Sequence, residues 1–478
     1  MRDLVRAFQF ALCALHIGLL LMAATISRSF GQNATPAPPP VPDLFSQDRS
    51  TLLGDMAGLR PALDKLGVTL AIQEDDEVLG NPSGGVRRGA EYDGLTTMTL
   101  TLDTGKAFGW EGGTFNISAL QIHGRDFSDD NLHVLQLASD IEAANATRLW
   151  ELWYQQTFLG GKADIKIGQQ SVDQEFLVSQ FAYFFMNAAT GWPVLTSENL
   201  YGGGPAYPLS SLGVRLRGHP SDAITVLAGV FDDNPPGGPF SNDAQVRGPE
   251  AAGARFNLGT GALFIAELQY AANQPPADAK APQPVGLPGT YKIGAYYDTG
   301  SFPDQRFDDT GVSLASPSST GIPRMHHGNF GMYMMVDQTV WRPDPKGPRA
   351  LGAFLRVMGA PPDMNLVSLS ANAGLNLKAP LPGRDADIFG IGYGVARISD
   401  RAIALDADTV LFTGADLPIR SAEHYIEISY QAQLTGWWHL QPDFQYFINP
   451  GGGLPNPNAP GQRTRNAAVL GLRSTIAF

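Results

Sequence analysis

From Ala468 to Phe478 the chain alternates by side. Ala468, Leu470, Leu472, Ile476 and Phe478 share one face of an extended strand, while Gly471, Arg473 and Thr475 take the other. A period of two is that of a β-strand, and an apolar face ending on a terminal aromatic is the pattern of a strand with one side against lipid. The pattern recurs upstream. Thr96, Met98, Leu100 and Leu102 alternate with Thr97, Thr99, Thr101 and Asp103. Phe330, Met332, Met334, Val336 and Val340 alternate with Gly331, Tyr333, Asp337 and Thr339. His424, Ile426, Ile428, Tyr430 and Ala432 alternate with Tyr425, Glu427, Ser429, Gln431 and Gln433. A soluble sandwich needs a second apolar sheet over every such face, so apolar solvent outside and water inside is the simpler match.

From Val68 onwards, segments of roughly 8–13 residues recur between Gly, Pro, Asn and Asp clusters. They number about sixteen or seventeen, and bacterial single-chain barrels close with even strand numbers. The expectation is an all-β fold: a transmembrane antiparallel β-barrel of about 16 strands over residues 68–478, wide enough for an aqueous channel. Aromatic pairs at segment ends (Trp150 and Trp153, Tyr296 and Tyr297, Trp437 and Trp438, Tyr446 and Phe447) are expected in interfacial girdles. Residues 171–210 break the strand pattern with Phe176, Phe181, Phe184, Phe185 and Trp192, then the Gly202–Pro208 turn. A loop so long and aromatic is expected to fold inward as a constriction. Residues 53–67 predict a short periplasmic or lumenal helix. Asp55 caps it, Leu59, Leu63 and Leu66 form its apolar face, and Gly67 ends it.

The N-terminus has the signature of an export signal over residues 1–31: Arg2 and Arg6, an apolar run from Ala7 to Ile26, then small residues. A Pro-rich linker, 32–52, follows. Cys13, the one cysteine, leaves with the signal, so a mature chain has neither disulfides nor thiolate metal sites. Beyond the signal no stretch reaches about 18 uninterrupted apolar residues, so helical spans are not expected. A mean hydropathy of −0.10 is consistent with strands that hide polar residues inside a barrel. The formal charge of −13 becomes −15 once Arg2, Arg6, Arg28 and Asp3 are removed, which argues against nucleic acid as a partner.

An aqueous barrel selects by the residues at its narrowest point. Arg215 and Arg217, in Leu212–Gly218, both fall on the non-apolar face of a strand. Arg87 and Arg88 follow a Gly-Gly turn and are expected to project inward. Acidic candidates are Glu74 and Asp76 on the first strand, and Asp173 and Glu175 at the start of the long loop; Trp192 offers a flat stacking face. There is no G-x-S-x-G, H-E-x-x-H or phosphate-binding loop, and the His326-His327 pair reads as a surface feature rather than a metal centre. No cofactor and no catalytic residue is expected.

Several ordered pieces resemble the OprB-type carbohydrate-selective porins of Gram-negative bacteria. They include Leu53–Arg60, Arg148–Tyr154, Ile167–Phe176, Gly191–Pro193, Gly203–Pro208, Gly213–Arg217, Gly294–Asp298 and Leu470–Phe478. The likeness runs from about residue 50 to the end. One departure is Met56-Ala57, where the family usually carries Trp and Gly. The resemblance implies an outer-membrane channel for passive uptake of monosaccharides, without cofactor. It also implies a constriction of Arg and Glu, transferred here to Arg215, Arg217 and Glu175. Expected partners are small neutral sugars, outer-membrane lipid and lipopolysaccharide, and the barrel-assembly machinery, engaged through Phe478. The chain is expected to be a monomer or a homotrimer. The rival reading is a general or ion-selective porin without a sugar site.

Overall fold

The computed structural model describes residues 49–241, 252–275 and 285–478. The expected signal and most of the Pro-rich linker lie outside the described residues. The alternating segments form sixteen antiparallel strands closed into one barrel. Half of the wall is β1 (Val68–Gly85), β2 (Gly89–Asp103), β3 (Gly113–Gly124), β4 (Ala146–Phe158), β5 (Ala163–Gln170), β6 (Ser211–Ser221), β7 (Ile224–Asp232) and β8 (Ala262–Ala272). The other half is β9 (Gly289–Asp308), β10 (Pro323–Trp341), β11 (Ala350–Gly359), β12 (Val367–Lys378), β13 (Ile388–Ile398), β14 (Ala422–Thr435), β15 (Trp438–Ile448) and the C-terminal strand (Arg465–Ala477). Each strand pairs with its sequence neighbour, a two-stranded ribbon at 455–463 being passed over, and the C-terminal strand closes on β1 with Glu77 opposite Arg473. Closure leaves no unpaired edge in the wall.

Side-chain alternation sets two environments. On β1, Val78 is 52% exposed toward the outside, whereas Glu77 is 1% exposed and turned into the lumen. Met332, Met334, Leu470 and Leu472 are likewise outward and exposed, as the sequence pattern requires. The aromatic pairs divide by the same rule instead of acting together. Tyr297 and Tyr446 face outward, while Tyr296 and Phe447 are buried inside. Trp153 is also inward, its ring 4.2 Å beneath the Lys166 ammonium. Trp150 packs against the buried Leu120 and Ile122 and against Tyr207 of the long loop. The girdle reading therefore fails for this pair and holds for only one member of each of the pairs Tyr296–Tyr297 and Tyr446–Phe447.

The segment before the barrel is mostly turns, and only Leu59–Lys65 is helical. Its N-cap is Gly58 at φ 89°, not Asp55, and no side chain caps it. Met56 and Ala57 hold φ 51° and 55°. The segment docks on the rim where the wall begins and ends: Leu52 N donates to Ala477 O (2.7 Å), and Arg60 reaches the Phe478 carbonyl.

Long connections gather at the opposite rim, and two of them turn into the lumen. Loop 171–210 enters as expected and carries part of the core inside: Phe176, Leu177, Phe184, Phe185 and Met186 are buried. Inward-facing Gly390 leaves room for it, since a Cβ there would lie 2.4 Å from the Phe184 ring. The second inward segment, 125–145, is not apparent from the sequence pattern. Its Leu135 and Gln136 amides donate to Glu423 of β14 at 2.9 and 2.8 Å.

Candidate functional site

A ladder of paired charges lines the lumen where β4, β5 and β6 run side by side. Register places Asp164 opposite Arg217 and Lys166 opposite Arg215, all facing inward, with Gln155 beside them on β4. The start of loop 171–210 brings Glu175 down onto this ladder. Arg215 Nη2 donates to Glu175 (2.9 Å) and to Gln155 (3.0 Å), and Nη1 donates to Asp164. Lys166 also pairs with Glu175. Arg217 Nε donates to Asp164 Oδ2 at 2.8 Å. Three cations thus surround two carboxylates. Burying charges this deeply is tolerable only because each meets an opposite partner.

Exposure separates the two arginines. The Arg215 side chain is 1% exposed and that of Arg217 is 34% exposed. Arg215 is the buried centre of the network, and Arg217 is its face to the channel. Beside the network lies a cavity of about 410 Å³ whose lining includes Gln155, Gln174, Glu175, Arg217, His219 and Gln269. Its volume falls in the ~300–1,000 Å³ range of small-molecule sites.

The other sequence candidates sit elsewhere. Asp173 accepts from Ser171 Oγ (2.5 Å) and Tyr207 N (3.2 Å), so it clamps the two ends of the long loop together. Burial holds its carboxyl above the ordinary aspartate range. Trp192 packs within the loop core, its indole N–H donating to Gly203 O at 2.8 Å. Arg87 stays at the long-loop rim, bonded to Asn131 (2.7 Å) of the inward segment and to Glu91 (3.0 Å). Glu74 and Asp76 face outward on β1, since they share parity with Val78. There Thr96 and Tyr92 donate to them, and His123 Nε2 lies 3.9 Å from Glu74. His123 reaches them across Gly94, where a Cβ would fall 2.2 Å from its ring. His326 lies within β10 and pairs with Asp304 at 2.9 Å.

A model of the family described as "Carbohydrate-selective porin, OprB family" matches residues 87–478. The chain belongs to this family. Porin B of Pseudomonas aeruginosa is 24% identical over 458 residues, covering 91% of this chain and 93% of its own length. The putative porin QuiX of Acinetobacter baylyi is 24% identical over 434 residues, 86% of this chain and 91% of its own. A solved high-pH structure of Pseudomonas putida OprB superposes with a TM-score of 0.77 at 23% identity, covering 91% of this chain and 100% of that one. The protein is therefore an outer-membrane porin for carbohydrates, a channel and not an enzyme.

Against this OprB-family background, sequence reasoning had missed half of the ladder. Asp164 and Lys166 alternate with Ile165 and Ile167, the same signal that singled out Arg215 and Arg217, but on a strand of only eight residues. Arg356 was missed as well. It is 1% exposed and holds the long loop by its backbone, donating to the carbonyls of Leu177 (3.1 Å), Thr190 (3.2 Å), Gly191 (2.9 Å) and Ala189. A lone Arg in an apolar strand, Phe354-Leu-Arg-Val-Met358, is the signal that stood out least.

Proposed function

We propose that small neutral sugars, monosaccharides such as glucose, pass through the cavity beside the β4–β6 ladder, and that Arg217 and the surrounding amides contact them there. The observation that carries this reading is the pairing of a half-exposed guanidinium with Gln155, Gln174 and Gln269 around a 410 Å³ space. An amide both donates and accepts, so it meets a sugar hydroxyl in either role. Arg215 positions Glu175 and Asp164 rather than touching the sugar. Each exchange of water for protein nets only about 1 kcal/mol. Three such bonds correspond to a dissociation constant of millimolar or weaker, which suits a channel that must also release what it binds. The indole of Trp192 is already committed to the loop, so the proposal assigns it no stacking role.

The test is single-channel current in a planar bilayer during glucose titration. Saturable block in the millimolar range is the expected result. An open channel whose current is unaffected by any sugar would establish the rival reading, a general diffusion porin.

A further inference from the structure

Apart from the ladder, the lumen holds a second carboxylate cluster that the sugar path does not use. Asp233 follows the end of β7, and Asp298 lies on the inward face of β9; they are 1% and 0% exposed. Both carboxylates reach the same point, the Cβ position of Gly300, at 2.8 Å from Asp233 Oδ2 and 3.0 Å from Asp298 Oδ1. Asp233 Oδ1 accepts from Thr260 at 2.6 Å, and Asp298 Oδ1 accepts from Gly300 N at 2.8 Å. The second oxygens, Asp233 Oδ2 and Asp298 Oδ2, are buried with no donor, and so is Oδ1 of Asn234, itself 0% exposed. None of the ion pairs among the described residues involves Asp232, Asp233 or Asp298.

Two glycines keep the space over these oxygens open. A Cβ on Gly261 would lie 2.5 Å from Asp233 Oδ2, and one on Gly300 would lie 2.8 Å from that oxygen and 3.0 Å from Asp298 Oδ1. A buried carboxylate is paired with a cation, holds a metal or takes up a proton, and metal titration separates the last two. Donors here are hard oxygens only, without sulfur or imidazole, which selects calcium-like cations over zinc or copper. We infer that Asp233 and Asp298 form the core of a divalent-cation site of the calcium class in the long-loop half of the barrel.

Its position gives the site a task. Tyr201 of the long loop packs against it, a ring carbon lying 2.8 Å from the Gly300 Cβ position. The Tyr201 hydroxyl donates to Ser301 O at 2.6 Å, and Gly202 N donates to Ser241 O at 2.7 Å. A cation there ties β9 to the start of the β7–β8 connection, where the far end of the constriction loop is anchored.

Terbium luminescence on the purified, chelator-stripped full chain tests this, with Tyr201 as the built-in sensitiser. The expected result is saturable Tb³⁺ emission excited through tyrosine, displaced by Ca²⁺ and weakened at least about tenfold in Asp298→Asn, the range a lost metal-site partner produces. No saturable emission, no displacement by Ca²⁺, or equal affinity in D298N would overturn the site. So would a D298N protein that is more stable in the absence of metal, because that result identifies a pair of acids sharing one proton. Should D298N fail to fold, the unfolding temperature of the unmodified chain decides. Millimolar Ca²⁺ must raise it relative to chelator, and the absence of any rise refutes the inference.

Discussion

Arg217→Ala is the substitution that separates contact from scaffolding in the ladder. Its side chain is 34% exposed and makes one ion pair, to Asp164. A partly solvated pair of this kind contributes about 0–1 kcal/mol, so the barrel should fold normally. What the substitution removes is the guanidinium facing the cavity. Two hydrogen bonds to a sugar at about 1 kcal/mol each amount to about 2 kcal/mol, which is roughly a 30-fold rise in the half-blocking glucose concentration. Arg215→Ala is the contrasting case. It removes one of two cationic partners from each of Asp164 and Glu175, leaving them Arg217 and Lys166, around a side chain only 1% exposed. Opening such a buried network costs up to about 3–5 kcal/mol. That variant should lose thermal stability and let the start of the long loop drift. Bilayer conductance titrated with glucose, alongside heat-modifiable mobility on gels as a folding check, reads both. A well-folded R217A channel with an unchanged half-blocking concentration would refute the assignment of Arg217 as a sugar contact.

Removing the loop's central anchor, Arg356→Ala, leaves four carbonyls without a donor, each costing up to about 1–3 kcal/mol where water cannot reach. The unfolding temperature should fall, and single-channel conductance should rise as the loop leaves the lumen; unchanged conductance would count against the anchoring role. At the long-loop rim, Asp408 of helix Asp400–Thr413 accepts from Arg306 (2.8 Å) and Ser313 (2.6 Å), and these contacts hold its carboxyl below the ordinary aspartate range. A depressed carboxylate contributes stability above its unfolded pKa and loses it as pH falls through the folded value. The protection factors of amides 400–413, the slowing of exchange relative to an unstructured chain at the same pH, should therefore stay constant down to about pH 4 and fall below it. Ala57→Gly relieves a residue at φ 55°, where an L side chain costs about 1–2 kcal/mol. Limited proteolysis should remove the segment before β1 more slowly in this variant, and no change would show that the turn carries no strain.

The barrel was legible because lipid on one side forces a two-residue period on every strand, and sixteen short segments repeat the message. Long-loop entry into the lumen was legible from Phe176, Phe181, Phe184 and Phe185, too many aromatics for a solvated connection. Candidate side chains fared less evenly. Arg215 and Arg217 were placed correctly because their strand alternates cleanly. Glu74 was not: its carboxylate has the parity of Val78, so the alternation rule assigns it outward, and polarity alone was a poor guide there. Arg87 was harder to place for a different reason. Turn residues have no parity, and its direction is set by Asn131, some forty positions away, on a segment whose inward course leaves no periodic trace.

The alternation also says less about water than it first suggests. A polar inner face on every strand reads as a wet lumen, yet on the wall from β8 to β15 those residues are dry. Leu177 N donates to Glu267, Gln180 N to Asp337, Met186 N to Glu427, while Gln441 donates to the carbonyl of Phe184 and Asn376 to that of Phe181. Five side chains from five strands thus take up the backbone of one loop, supplying the partners that its irregular course denies it within itself. A chain crossing a barrel must have every buried N–H and C=O satisfied, and here the wall does that instead of a helix or sheet. The lumen is therefore two-sided: β8 to β15 form a hydrogen-bonding template for the loop, and β4 to β7, with Gln269 of β8, line the cavity beside the ladder. The proposed sugar path fits this division, since the loop occupies the side whose polar groups suit backbone and leaves open the side whose charges are paired among themselves, with the Arg217 guanidinium still 34% exposed.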